Sequence, residues 1–105
     1  MDALIHVRLR RPEGMSNSEF FGVWKQEAAA GLAAVEAGVI KHIWKVPGKY
    51  EVFAVISVDS TDQIDEIIHS APIWKLGYEY IADLEWTLLR PYENWAKQLQ
   101  ELAAS

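Results

Sequence analysis

The sequence predicts an α+β fold of the ferredoxin-like, split βαβ kind: strand, helix, strand, strand, helix, strand, followed by one extra C-terminal helix. Three observations carry this. Four runs show strand character, two Ser-x-x-(Glu/Gln) signatures precede segments of helical periodicity, and Pro47-Gly48 separates two adjacent β-rich runs.

Ala3 to Leu9 alternates Ile5, Val7 and Leu9 against His6 and Arg8, as a strand with one buried face does. Arg10 to Gly14 turns the chain away. Ser16 followed by Glu19 forms a capping box, with Met15 and Phe20 placed as a hydrophobic staple, so the first long helix starts near Asn17 and Gly38 is its C-cap. Val39 to Val46 and Tyr50 to Val58 read as an antiparallel hairpin joined across Pro47-Gly48-Lys49. A second capping box, Ser60 with Gln63, opens a short helix that presents Ile64, Ile67, Ile68 and Ala71 on one side and stops at Pro72. Ile73 to Tyr78 is expected to be an aromatic loop. Tyr80 to Leu89 alternates as the fourth strand, and Pro91 begins a helix with Tyr92, Trp95, Leu99 and Leu102 at helical spacing.

A chain of 105 residues, half of them apolar, holds one domain and one core, so residues 1–105 are read as a single domain with at most one site. Two helices cover one face of a four-stranded antiparallel sheet. The middle strands nevertheless carry apolar residues on both faces, Ile43, Phe53 and Val55 as well as Ile40, Val52 and Ala54, so the bare face is expected to pack on a second subunit. A net charge of −5 with dispersed basic residues gives no cationic stripe for nucleic acid. The absence of cysteine excludes a disulfide framework, a thiolate nucleophile and a cysteine-type zinc site. No apolar run approaches the ~18 residues of a membrane span, and no signal-like start is present, so a cytoplasmic location is expected. Three scattered histidines argue against a metal site, and no phosphate-binding glycine loop or Ser-His-Asp arrangement is present, so no cofactor is expected.

The chemistry concentrates on Glu27. Counted at 100° per residue from Phe20, the positions Val23, Trp24, Gly31, Ala34 and Val35 fall within roughly 60°, and Glu27 lands among them. A carboxylate on a core-facing stripe loses hydration, and its raised pKa suits proton transfer near neutral pH. On the hairpin, regular alternation puts Ile40, His42, Trp44 and Val46 on one face and Lys41, Ile43 and Lys45 on the other. If the first face lies under the helices, Glu27 and His42 line one cavity, with Tyr50 near the turn as a phenol donor.

Glu27, followed after Gly38 by Lys41-His42-Ile43-Trp44-Lys45-Val46-Pro47-Gly48-Lys49-Tyr50, resembles the muconolactone isomerases, as do His6-Val7-Arg8 and Val58-Asp59-Ser60. The resemblance runs from about residue 4 to 73 and again near Leu88 to Pro91. It implies a dimeric α+β barrel, often assembled into larger rings, and a cofactor-free 1,3-proton shift on a butenolide. Glu27 would be the acid/base shuttle, His42 and Tyr50 would hold the lactone or its developing oxyanion, and Trp44 would form an apolar wall. Trp24 and Gln26 stand where the family carries basic residues. Ile73 to Tyr80 is longer and more aromatic than its counterpart, so Trp74, Gly77 and Tyr78 could form a lid. These departures point to another ring, chlorinated or aromatic-derived, and so to an isomerase or a related lyase or dehalogenase, with Trp24, Trp44, Trp74 and Tyr78 as candidate substrate contacts.

Two other readings fit the same residues. A cofactor-free oxygenase of the dimeric barrel type would suit a planar phenol, and a non-catalytic module would store a small molecule in the same hollow.

Overall fold

A computed structural model of the chain describes residues 1–104. Its elements are β1 (Asp2–Leu9), α1 (Asn17–Glu36), β2 (Ile40–Lys45), β3 (Glu51–Ser57), α2 (Thr61–Ser70), α3 (Pro72–Lys75), a 3-10 turn (Glu79–Ile81), β4 (Ala82–Leu89) and α4 (Tyr92–Ala104). The four strands form one antiparallel sheet in the order β2-β3-β1-β4, as the split βαβ pattern requires.

Register sorts the side chains into two faces. Ala3, Ile5, Val7 and Leu9 stand in line with Ile56, Ala54 and Val52 on β3 and with Leu88, Trp86, Leu84 and Ala82 on β4. This face carries the helices and the core. One cluster joins Leu9, Met15, Phe20, Val23, Ile73 and Ile81, and a second joins Ile5, Ala54, Ile56 and Val58. The other face presents Leu4, His6, Phe53 and Val55, and among the described residues no helix packs extensively over it.

The α1 stripe is as its periodicity predicts. The residues of α1 that are not exposed are Phe20, Val23, Trp24, Glu27, Gly31, Ala34 and Val35. Ser16 Oγ accepts the Glu19 amide at 3.0 Å, the expected cap, but the Glu19 carboxylate accepts from the Tyr78 hydroxyl at 2.9 Å and does not return to Ser16. At the far end Gly38 adopts φ +80°, and the amides of Gly38 and Val39 close on the carbonyls of Val35 and Ala34 in a Schellman arrangement.

Three expectations need correction. Regular alternation along Val39 to Val46 fails, because Ile40 pairs with Ile56 while His42 pairs with Val55. Lys41 is the extra residue of a β-bulge, and everything after it changes face. Ile43 therefore joins Ile40 under the helices, whereas His42 and Trp44 face the bare side. The segment after Pro72 is no loop, for it forms α3, a turn at Gly77 with φ +81°, and the 3-10 turn. The second capping box does not form: the Ser60 side chain caps nothing, and Gln63 Oε1 accepts the amide of Asp59, one residue before the N-cap, at 2.7 Å.

The C-terminal helix stands apart from the rest. The molecule measures 61 × 27 × 21 Å, and its radius of gyration is 16.9 Å against about 13 Å for a compact chain of this size. Arg90 secures the first turns of α4, donating to Gln98 Oε1 at 2.7 Å and lying over the Trp95 ring. Tyr92, Leu99 and Leu102 are exposed.

Candidate active site

Between the sheet and the helices lies an open cavity of about 450 Å³. Its roof is one side of α1: Trp24, Glu27 and Gly31 from the inner stripe, with the exposed Ala28 and Leu32 beside them. The floor is the helix-side row of the sheet, including Ile5, Ala54, Ile43 and Trp86, and the end wall comes from Ile67, Ile68, Ala71, Ile73 and Trp74. At Gly31 the helix approaches β2 closely. Gly31 offers no side chain, and a Cβ built there would lie 3.6 Å from Ile43 Cδ1.

Glu27 is the one acid among the lining residues and is half-buried. Burial pushes its carboxyl above the ordinary carboxylate range, and a hydrogen bond from the Ile73 amide pulls partly the other way. That bond is 2.7 Å long to Oε1. It satisfies an otherwise orphan N–H in the first turn of α3, whose N-cap, Ala71, has no polar side chain. Only Oε1 is engaged in this bond, so the carboxylate keeps a second oxygen for other work. The sole lining cation, Lys45, lies at the exposed end of β2 and donates to the Val46 carbonyl at 3.1 Å.

The sequence-derived candidates divide. Trp24 and Trp74 line the cavity with Glu27. Trp44 borders it but is 54% exposed, and its ring stacks on His42 at 5.3 Å across the bare face. The bulge at Lys41 thus separates His42 from Glu27, and the two do not share a cavity within one chain. Tyr50 also lies outside. Its ring completes an aromatic cluster with Phe20, Phe21 and Trp24 at the end of the sheet, which gives Trp24 one fixed wall to lean on. Tyr78 packs on the first core cluster, and its hydroxyl ties the segment after α3 to Glu19 on α1. That tether holds the Trp74 side of the cavity to its roof.

Sequence reasoning missed Trp86. The residue belongs to the cavity floor, and its indole Nε1 is buried without an acceptor among the described residues. The available signal was a tryptophan at the inward parity of the last strand, in line with Leu84 and Ala82.

On the bare face, His6 Nε2 meets Glu51 Oε1 at 2.7 Å and the His6 ring stacks on Phe53 at 4.1 Å. Arg8 lies 3.8 Å from both Glu51 and Glu85. Among the described residues no helix is long and apolar enough to cross a membrane.

The sequence profile of the muconolactone delta-isomerase family matches residues 1–94. Among solved structures, a muconolactone isomerase superposes with a TM-score of 0.72 at 18% identity, covering 87% of this chain and 90% of that one. A 5-chloro-2-hydroxyhydroquinone dehydrochlorinase from Burkholderia phenoliruptrix AC1100, bound to 2,5-dihydroxybenzoquinone, superposes with a TM-score of 0.60 at 20% identity, covering 86% and 94%. No curated protein matches the chain.

Proposed function

The chain belongs to the muconolactone delta-isomerase family, and we propose that it is a cofactor-independent isomerase that moves a proton around a butenolide ring during the breakdown of aromatic compounds. The observation that carries this reading is the Glu27 carboxylate, held half-buried over an apolar cavity with its pKa raised. Such a base takes a proton from carbon more readily than a solvated carboxylate does, and as an acid it can give the proton back.

The reaction needs little else. The free Glu27 oxygen takes the ring proton from the γ carbon, and the electron pair spreads through the conjugated system onto the lactone oxygen as a dienolate. The carboxylic acid so formed then delivers the proton to the α carbon. One group serves both steps when the proton stays on one ring face. Trp24 and Trp74 flank the ring and keep water from the dienolate, and the Ile73 amide fixes the Glu27 rotamer during the transfer.

His42 and Tyr50 stand outside the cavity of their own chain and take no proton in this scheme. The bare face carrying His42, Trp44, Phe53 and Val55 supports assembly as a homodimer or a larger ring, since an apolar sheet face of this kind is normally covered. The cysteine-free composition supports a cytoplasmic setting.

A second reading has its own support in the likeness to a dehydrochlorinase. The same base acting on a ring that carries chlorine would expel chloride from the carbanion instead of returning the proton, a net loss of HCl. Both readings are tested by incubating the protein in heavy water with muconolactone or a chlorinated relative. Deuterium uptake at the ring, or chloride release, that disappears in Glu27→Gln supports the proposal, and activity that persists in this variant overturns it. Oxygen consumption during turnover would transfer the site to the oxygenase reading.

A further inference from the structure

Trp86 presents a buried indole N–H with no acceptor among the described residues, in the floor of the cavity roofed by Glu27. An orphan buried donor destabilises a fold unless something at the site uses it, and such groups are rare enough to need a reason. Trp86 need not have been placed this way for packing alone, since phenylalanine fills much of the same space without a polar atom. It pairs across the sheet with Ile5 and packs on the cluster of Ile5, Ala54, Ile56 and Val58, whose side chains are aliphatic and offer it nothing.

The charges around the cavity supply the second observation. Glu27 is the only acid in the lining, and Lys45, the only cation, sits at the solvent-exposed end of β2 and is engaged by the Val46 carbonyl. A free carboxylate placed inside would be desolvated beside a second carboxylate, and the one lining cation among the described residues, Lys45, is held at the exposed rim. A ring carbonyl meets the opposite situation. It needs one donor, and one is waiting.

Resting on the proton-shift reading above, we infer that the cavity takes a neutral, carbonyl-bearing ring in place of a carboxylate-bearing lactone, and that the Trp86 indole N–H is the donor to its carbonyl oxygen. The base stands in the roof and the donor in the floor, so the ring lies between them. As the proton leaves the γ carbon, negative charge gathers on the carbonyl oxygen, and a hydrogen bond from the Trp86 indole to that oxygen strengthens in the transition state. Nε1 has almost no accessible surface, so the donor role requires the indole to turn about χ2 when a ligand enters.

The test uses a matched pair, muconolactone and its methyl ester, which differ in the charge of the side arm and by one methyl group. Binding is followed through the ¹⁵N–¹H indole cross-peaks of the full chain, that of Trp86 being identified by its loss in Trp86→Phe. The ester is expected to bind at least about tenfold more tightly than the acid at neutral pH and to move the Trp86 cross-peak downfield. In Trp86→Phe, ester affinity is expected to fall about three- to tenfold and kcat about 10²-fold, with thermal stability unchanged or raised because the orphan donor is gone. A Trp86 peak that stays still while other cavity resonances saturate overturns the donor assignment. Tighter binding of the acid, or no binding of the ester, overturns the substrate class. Because binding needs no turnover, the measurement is repeated in Glu27→Gln. A shifted Trp86 peak without deuterium exchange in the wild type would retain this site and reject the isomerase reading alone.

Discussion

The Glu27 carboxylate accepts the Ile73 amide at 2.7 Å, a hydrogen bond between residues 46 positions apart that joins the long helix α1 to the first turn of α3. The same side chain thus has a structural duty, capping α3, and the proposed chemical one. Substitutions can separate the two, because an amide oxygen accepts a hydrogen bond as well as a carboxylate but takes no proton from carbon.

Glu27→Gln is therefore expected to keep the fold and lose the chemistry. The glutamine Oε1 still receives the Ile73 amide, so the melting temperature changes little, while proton exchange on the ring falls by about 10²- to 10⁴-fold. Glu27→Ala loses both, leaving the Ile73 N–H unpaired at a cost of about 1–3 kcal/mol. Thermal melts and heavy-water exchange on the two variants check the split. Equal melting points for both would remove the capping role.

The raised pKa of Glu27 fixes the sign of two pH effects. As a base it works only when ionised, so the rate falls as the pH drops through its raised value, at a higher pH than an exposed glutamate would give. Stability runs the other way. The folded state holds the proton more tightly than the unfolded chain, so Glu27's contribution is complete below the ordinary value of 4.5 and is lost as the pH rises through the raised one. A kcat/KM profile and urea melts across this window test both, and Glu27→Gln should flatten this component of the stability profile.

Gly31 sits in the middle of α1 with room for a methyl group, since the added Cβ would make an ordinary contact with Ile43 Cδ1 at 3.6 Å. Gly31→Ala should stabilise the protein by about 0.5–1 kcal/mol through helix propensity, seen as a rise of several degrees in melting temperature. Gly31→Leu reaches into the cavity. It should weaken substrate binding, raising KM while the pH dependence set by Glu27 persists.

On the bare face, Val55 stands opposite His42 and beside Phe53. Val55→Asp leaves the helix-side core untouched and places a charge where a second copy is proposed to pack. Light scattering should show the assembly dissociate. A particle of unchanged mass would assign subunit contacts to another surface.

Periodicity alone revealed the inner stripe of α1, because helical geometry is local and every one of its seven inward positions obeys the 3.6-residue repeat. The order of elements along the chain, the cap at Ser16 and the glycine end at Gly38 were legible for the same reason. The faces of β2 were not. A bulge at Lys41 is decided by how β2 meets β3, and one extra residue is enough to invert every assignment after it. This moved His42 and Trp44 away from Glu27 and brought Ile43 into the cavity. The Glu27 to Ile73 bond was hidden too, since it depends on α3, which the sequence presented as a loop. Trp86 was readable in parity but not in consequence, because an unpartnered donor is visible only when all its neighbours are known.

The outlying α4 has a consequence for how the molecule behaves in dilute solution. A rod of 13 residues, about 20 Å long, is too short to sustain its own winding in water, and it receives little help from a body it scarcely touches. Its order must be borrowed from whatever it leans on. Far-ultraviolet circular dichroism should accordingly register progressive unwinding of this tail as the protein is diluted, while the signal of the sheet and α1 holds steady.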